Sequence, residues 1–404
     1  MNAFEPAGSA VAGRRSRRTR LAVLARFICG LFLLSALPAL RGPIVAGPPQ
    51  ETRRAETVAP GVEHIEIKRG DFTAGGGADH WTINVLVLDP AKTRLAIGRA
   101  RDRGVGTEMT SSMAARHAAL AAVNGGYFRT EGPYRGEPAC VVIMAGKVLS
   151  EPSRRRPGLA VSNAGPRTRM GVVDVSFRAE VVASTKARRR VDGVNRPRLD
   201  NELVVFTPEF NRTTLTGPDG IEAVVEKGRV RFVRDGAGDT EIPRDGWAVS
   251  AQGAAAGWVR TNVRRGARLE MKSNVRLSPR PAFIPEFVIG GGPRLVQNGR
   301  PAPAGDPESF SPGFADARHP RTAVGLRADG SVLLVTVDGR RPGTSVGMSI
   351  AELAALLVEL GAVEAVNMDG GGSTTMAVYG RVVNNPSDLA GERPVGDALL
   401  VFLR

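Results

Sequence analysis

Residues 363–376 read Val-Glu-Ala-Val-Asn-Met-Asp-Gly-Gly-Gly-Ser-Thr-Thr-Met: a short apolar run, then an amide, a carboxylate, three glycines and three hydroxyl residues. The apolar run suits a strand, and Asn367 and Asp369 lie where it gives way to a loop. Three successive glycines lose much backbone entropy on folding, so an ordered chain keeps them where positive φ or close approach to the backbone is required. A tight turn between two strands needs one or two glycines. The third, with Asp369 on one side and Ser373, Thr374 and Thr375 on the other, points to a site for a polar or anionic small molecule.

The same design recurs. Leu120–Val123 is a small-residue run ending in Asn124-Gly125-Gly126-Tyr127-Phe128, and Phe287–Ile289 leads into Gly290-Gly291-Gly292-Pro293-Arg294-Leu295. His319-Pro320-Arg321 opens a further strand, and Val332–Val337 closes on Asp338-Gly339-Arg340. Loops at the ends of buried strands are where a rigid scaffold presents chemistry, so these junctions are expected to converge. Between two of them Ser349 and Glu352 form a capping box, Ile350, Leu353, Leu357 and Leu360 mark an apolar face, and Gly361 terminates the helix. The unit from Val332 to Val366 therefore reads strand–helix–strand with parallel strands. If those strands are neighbours, Asp338 and Asn367/Asp369 leave the same sheet edge, the place where open α/β sheets put ligands.

Elsewhere the chain alternates short apolar runs with turns. Trp81–Leu88 is a strong strand, Thr110 or Ser111 can cap a short helix to about His117, and some eight short strands with little helix follow between 136 and 279. The expected fold is α+β: a strand-rich mixed sheet with few helices and one strand–helix–strand unit near the C-terminus. The 77 glycines and prolines are spread among apolar runs, which excludes a low-complexity chain. Residues 47–79 read as a linker (proline- and polar-rich to about 62) and first strand, 80–404 as the catalytic domain with a strand-rich middle at about 145–280, and 302–317 as a loop long enough for a lid.

Residues 1–46 carry a basic flank, Arg14 to Arg20, before an apolar core at Phe27–Leu37, the pattern of a signal peptide; an uncleaved anchor over residues 21–40 is the rival. Export to the periplasm or medium is expected on either reading. Of the two cysteines, Cys29 lies in this segment, leaving Cys140 without a partner after cleavage. The formal charge of +15 includes a net of six from residues 1–46, and the runs at Arg154–Arg156 and Arg188–Arg190 are not interleaved with aromatics. They read as solvated faces, and no nucleic-acid partner is expected.

Taken together, Asn124–Phe128, Gly290–Leu295, Arg321-Thr-Ala-Val-Gly325, Val337–Arg340 and Asn367–Thr375 resemble, in that order and over roughly residues 80–404, the phosphodiester glycosidase family. That family includes N-acetylglucosamine-1-phosphodiester α-N-acetylglucosaminidase and bacterial exopolysaccharide-biosynthesis-type proteins. The resemblance implies hydrolysis of the bond between an anomeric carbon and a phosphodiester oxygen, with a carbohydrate phosphodiester as partner. On it, Asp369 is expected as base or nucleophile, Asp338 as second carboxylate and Arg321 as the phosphate-binding cation. Asn124, Gly125, Gly126, Phe128, Gly291, Gly292, Asn367, Gly370, Gly371, Gly372, Ser373 and Thr374 are expected to line the substrate site, the two asparagines on sugar hydroxyls or an acetamido group. No cofactor is required, although calcium or magnesium would suit oxygen ligands; no loop has the dense acidic spacing that calls for one. Two alternatives stay open: a non-catalytic polysaccharide-binding or assembly module, and a hydrolase or transferase on another phosphodiester-linked envelope glycan.

Overall fold

The computed structural model describes residues 51–70, 80–153, 155–302, 310–311 and 313–404. The targeting segment, Arg154 of the first arginine run and most of the expected lid lie outside the described residues.

The strand Val332–Val337 is apolar at nearly every position because both faces of its sheet are covered. On one face Leu333, Val335 and Val337, with Ile83 and Val85, pack against Leu353, Leu356 and Leu357 of the helix Ile350–Glu359. On the other, Leu334 joins Val324 and Val366 in a core shared with Val123, Met376 and Leu399 and with Leu159 and Ile289 of two further sheets. The helix starts where the capping box sets it: Ser349 accepts the Glu352 amide at 3.2 Å, and the Glu352 carboxylate accepts the Ser349 amide at 2.9 Å. It ends before Gly361, whose φ of +86° is left-handed.

This eight-stranded sheet runs in the order Glu51–Ala59, Val62–Arg69, Trp81–Leu88, Val332–Val337, Arg321–Arg327, Ala362–Asn367, Arg294–Gln297, Arg300–Pro301. Val332–Val337 and Ala362–Asn367 are parallel, as the crossover requires, but they are not neighbours. Arg321–Arg327 lies between them, antiparallel to both, pairing Arg321 with Val337 and Ala323 with Asn367. Asp338 and Asn367 still leave the same edge, which is also where Arg321 begins. Asp369 follows two residues later.

A smaller sheet brings Ala121–Asn124 between Met376–Val378 and Asp397–Leu403, with Asn124 opposite Ala398. A third carries Phe287–Gly290 between Pro157–Ser162 and Val142–Met144. In the middle segment the long strand Arg169–Ala183 pairs along Leu269–Ser278, and a five-stranded sheet, Gly193–Val194 to Arg229–Asp235, fills the chain between them.

Three differences from the sequence reading have simple causes. Glu51–Ala59, read as linker, is an edge strand paired in register with Val62–Arg69; its polar composition is what an exposed edge tolerates. The middle segment contains a helix, Gly253–Asn262, whose two glycines hide its propensity and whose Ala255, Ala256 and Val259 dock on the five-stranded sheet. The helix Thr110–Arg116 has no side-chain cap. Among the described residues no helix is long and apolar enough to cross a membrane.

Candidate active site

Asn124, at the end of its strand, is fully buried and ties two sheets together. Its Oδ1 accepts the Thr322 hydroxyl at 2.7 Å and the Thr375 amide at 3.1 Å, and its Nδ2 donates to the Asp369 carbonyl at 2.7 Å. Thr322 belongs to the large sheet and Asn124 to the small one, so this amide fixes the main chain at Asp369 against both. The next residue adds a second clamp: the Asp369 amide donates to the Gly125 carbonyl at 3.0 Å.

The glycines are there for space. A Cβ on Gly126 would lie 2.6 Å from the Gly290 carbonyl oxygen, and one on Gly291 would lie 2.5 Å from that of Asn367. Gly370 comes similarly close to the Pro320 carbonyl, and Gly371 has a φ of +60°. The loop's amides are spent largely within the protein: Gly370 on Asp369 Oδ1 at 2.9 Å, Gly371 on the Pro320 carbonyl at 2.8 Å, and Ser373 and Thr374 on carbonyls of Gly370 and Gly371. The expected cradle of glycine amides is thus a self-bonded turn. What lies buried here are side-chain oxygens: Thr374 Oγ1 and Asn367 Oδ1 have no hydrogen-bond partner, and the Ser373 hydroxyl is turned to the Asp369 carboxylate.

Asn367 is held by its amide nitrogen, which lies within 2.7–2.9 Å of the Met368 carbonyl, the Tyr127 hydroxyl and the Gly292 carbonyl. Two of those neighbours are carbonyls that can only accept, so the nitrogen must face them and the oxygen is left free. Tyr127 donates its hydroxyl to the Gly292 carbonyl at 2.7 Å. Its neighbour Phe128, expected in the site, turns the other way and packs on the cluster of Met113, Ala398 and Leu400. Tyr127 is the aromatic residue that reaches the site.

Asp369 is half-buried, with a carboxyl pKa raised to about 6. Burial is the main cause, opposed by the Ser373 hydroxyl, the Gly370 amide and the charges of Arg393 and Arg156. The carboxylate sharing its surroundings is Asp397, which the sequence reading did not single out. Asp397 is 2% exposed, accepts the Gly126 amide on Oδ1 at 2.8 Å, and takes the Gly125 amide on its carbonyl at 3.0 Å. Burial pushes its pKa up to about 7, with a further upward push from the charge of Asp369.

Asp338 is placed differently from the expected second carboxylate. It is buried and saturated: the Asn385 amide lies 3.0 and 3.1 Å from its two oxygens, and Asn384 Nδ2 is 3.1 Å from Oδ1. Burial raises its pKa to about 6 despite those bonds. It reaches the glycine loop through Asn384, whose Nδ2 also contacts the Thr374 carbonyl at 3.1 Å. Arg321 is likewise engaged. It is 1% exposed; its Nε donates to the Met348 carbonyl at 2.8 Å and its Nη2 to those of Phe314 and Ala317 at 3.0 and 2.7 Å. Burial brings its pKa down to about 10. In this arrangement Arg321 ties the 314–317 segment and Met348 to the sheet edge. Among the described residues no group of three or more His, Cys, Asp or Glu side chains is placed to hold a metal ion.

The structure thus brings Asn124, Gly125, Gly126, Gly291, Gly292, Asn367, Asp369 and Gly370–Thr374 to one place and adds Tyr127, Asp397 and Arg156. Residues 219–402 match the family model of the phosphodiester glycosidases. That stretch holds Asn367, Asp369 and Asp397, whereas Asn124–Tyr127 and Arg156 precede it. An 86-residue stretch is 41% identical to the SPbeta prophage-derived uncharacterized protein YomE of Bacillus subtilis (strain 168), covering 21% of this chain and 13% of that protein. A 75-residue stretch is 37% identical to N-acetylglucosamine-1-phosphodiester alpha-N-acetylglucosaminidase of Bos taurus, covering 19% and 14%. The match spans about a seventh of the length of each of these relatives. The crystal structure of a Burkholderia pseudomallei K96243 protein, named there as exported, superposes with a TM-score of 0.76 at 24% identity, over 91% of this chain and 99% of that one. The two share a fold.

Proposed function

With residues 219–402 placed in the phosphodiester glycosidase family, we propose that this chain is an exported hydrolase that cleaves the C1–O–phosphate bond of a sugar-1-phosphodiester, Asp369 activating the attacking group. The observation that carries the reading is Asp369 itself. It is half-buried, fixed through its main chain by Asn124 and Gly125, and shares its loop with the unpaired side-chain oxygens of Asn367 and Thr374. A carboxylate with a pKa near 6 is ionised at neutral pH yet more basic than an ordinary aspartate, as a general base or nucleophile requires. The leaving group is a phosphate monoester, a stable anion that needs little protonation, so a single well-placed carboxylate can suffice where sugar alkoxides demand an acid as well. Asn367 Oδ1 is free to accept from a sugar hydroxyl, and the Ser373 and Thr374 hydroxyls can donate to substrate oxygens. Export rests on the basic and apolar pattern of residues 14–37.

The test is hydrolysis of a panel of hexose- and N-acetylhexosamine-1-phosphodiesters by the purified protein, followed by NMR for reducing sugar and phosphomonoester. Turnover is expected, with kcat falling as pH drops through about 6. Asp369→Asn keeps the shape and should lower kcat by about 10² to 10⁴ with little change in melting temperature. A well-folded Asp369→Asn protein with near-wild-type turnover would refute the assignment, and a wild-type protein that cleaves no member of the panel would refute the reaction.

A further inference from the structure

Arginine has five N–H donors and no acceptor, so a buried guanidinium can be read by what each nitrogen meets. Arg321 meets three main-chain carbonyls and lies over the Phe314 ring, 4.9 Å from its centroid. Three of its five donors, on Nε and Nη2, are committed to holding the protein together. Arg156 is the opposite case. It lies against two adjoining aromatic rings, 4.9 Å from the centroid of Tyr127 and 4.3 Å from that of Phe310, whose own centroids are 5.7 Å apart. The single hydrogen-bond contact of its side chain among the described residues runs from Nη1 to Cys140 Sγ at 3.6 Å, a weak acceptor. Burial raises the Cys140 pKa to about 11, so the thiol is neutral and gives Arg156 no counter-charge. Arg156 Nε is buried with no partner, and no described carboxylate forms an ion pair with it.

A partly buried cation with an unused, buried N–H costs free energy that an anion would recover. The surroundings fix where that anion would lie. The Tyr127 ring against Arg156 carries the hydroxyl held by Asn367 Nδ2 and Gly292, so Tyr127 links the guanidinium to Asn367. The charge of Arg156 is felt at Asp369. Thr374 Oγ1, unpaired on the glycine loop, and the Ser373 hydroxyl beside Asp369 supply neutral donors for the same group.

We infer that Arg156, and not Arg321, is the guanidinium that meets the anionic oxygens of the substrate, with the Tyr127 and Phe310 rings holding it in place. The inference rests on the phosphodiester reading for the identity of the anion but not for its existence. A phosphate group bridged by Arg156 on one side and the Ser373 and Thr374 hydroxyls on the other would present the sugar to Asn367 and the anomeric carbon toward Asp369.

Inorganic phosphate, titrated calorimetrically into the full-length protein, tests this apart from turnover. Wild type is expected to bind it, Arg156→Gln to bind at least about tenfold more weakly with a melting temperature close to wild type, and Arg156→Lys to recover part of the loss. Arg321→Lys should lower the melting temperature while the folded protein keeps its phosphate affinity within about threefold, as expected of a residue whose donors face carbonyls. Absence of phosphate binding by wild type, or unchanged affinity in Arg156→Gln, overturns the inference. So does loss of binding on substitution of the exposed Arg340, which lies beside Gly371, with Arg156→Gln unaffected. Phosphate binding through Arg156 without hydrolysis of any sugar phosphodiester would support the inference and remove the hydrolytic reading. Hydrolysis with unimpaired Arg156→Gln would do the reverse.

Discussion

Asp397→Asn isolates the cost of keeping a carboxylate in the interior beside the candidate site. The substitution preserves shape, and an amide oxygen can still accept the Gly126 amide now bonded at 2.8 Å. What it removes is titration. Burial, then the charge of Asp369, raises the folded pKa from an ordinary 3.8 to about 7, against the opposing Gly126 hydrogen bond and Arg99. A folded pKa above the unfolded one means that the native state binds more protons between about pH 4 and pH 7. Stability therefore falls as pH rises through that window, contributes no difference below it, and carries the full penalty above it. A rise of about three units corresponds to roughly 4 kcal/mol at most. Asp338, Asp369 and Glu137 have raised pKa values of the same sign, so wild type alone would not single out Asp397. The difference between wild type and variant does. Urea unfolding of both at pH 5, 6.5 and 8 should show Asp397→Asn gaining on wild type by about 2–3 kcal/mol between the first and last pH. Parallel stability curves across that range would refute the reasoning and show that Asp397 keeps its proton, or its charge, alike in both states.

Two further outcomes follow from contacts in the same region. Arg321→Lys keeps the charge but not the planar fork that reaches three carbonyls, and leaving some of these unpaired should cost about 2–4 kcal/mol, read as a drop in melting temperature. Gly126→Ala drives a methyl to 2.6 Å from the Gly290 carbonyl oxygen, and because the obstacle is backbone it cannot swing aside. A loss of about 1–3 kcal/mol is expected by chemical denaturation, with reduced turnover because the displaced turn also carries Gly125, the partner of the Asp369 amide.

How much of this was readable beforehand depended on whether the signal was local. Ser349, Glu352 and Gly361 announce their helix within one turn of each end, and Trp81–Leu88 forms a strand over just those residues. The handedness of crossovers makes Val332–Val337 and Ala362–Asn367 parallel, but it does not say what lies between them; Arg321–Arg327 enters there through pairing that no short window contains. Within the site, Asn124, Asn367 and Asp369 were visible because each precedes glycines that a packed backbone needs. Asp397 has a fainter mark, a lone carboxylate opening an otherwise apolar strand at Ala398–Phe402. Arg156 was masked by its neighbours: in a run of three arginines the solvated reading is natural, yet the third of them lies against two adjoining rings. For Asp338 and Arg321 the residue types fit the chemistry, while several of their hydrogen bonds, which only the fold reveals, go to Asn384 and Asn385 and to main-chain carbonyls.

The cross-links made by Asn124 also bear on how this region responds to a ligand. Its side chain joins strands about two hundred residues apart in the chain, and the Asp369 amide is donated across a still longer span to Gly125. Both bonds tie the loop at Asp369 to the buried end of the Asn124 strand. The main chain around Asp369 is therefore already set before anything binds, and association need not spend free energy on ordering it. By the same token this loop has little freedom to adapt, so selectivity among ligands has to come from the side-chain oxygens and rings around it, rather than from the backbone closing to fit.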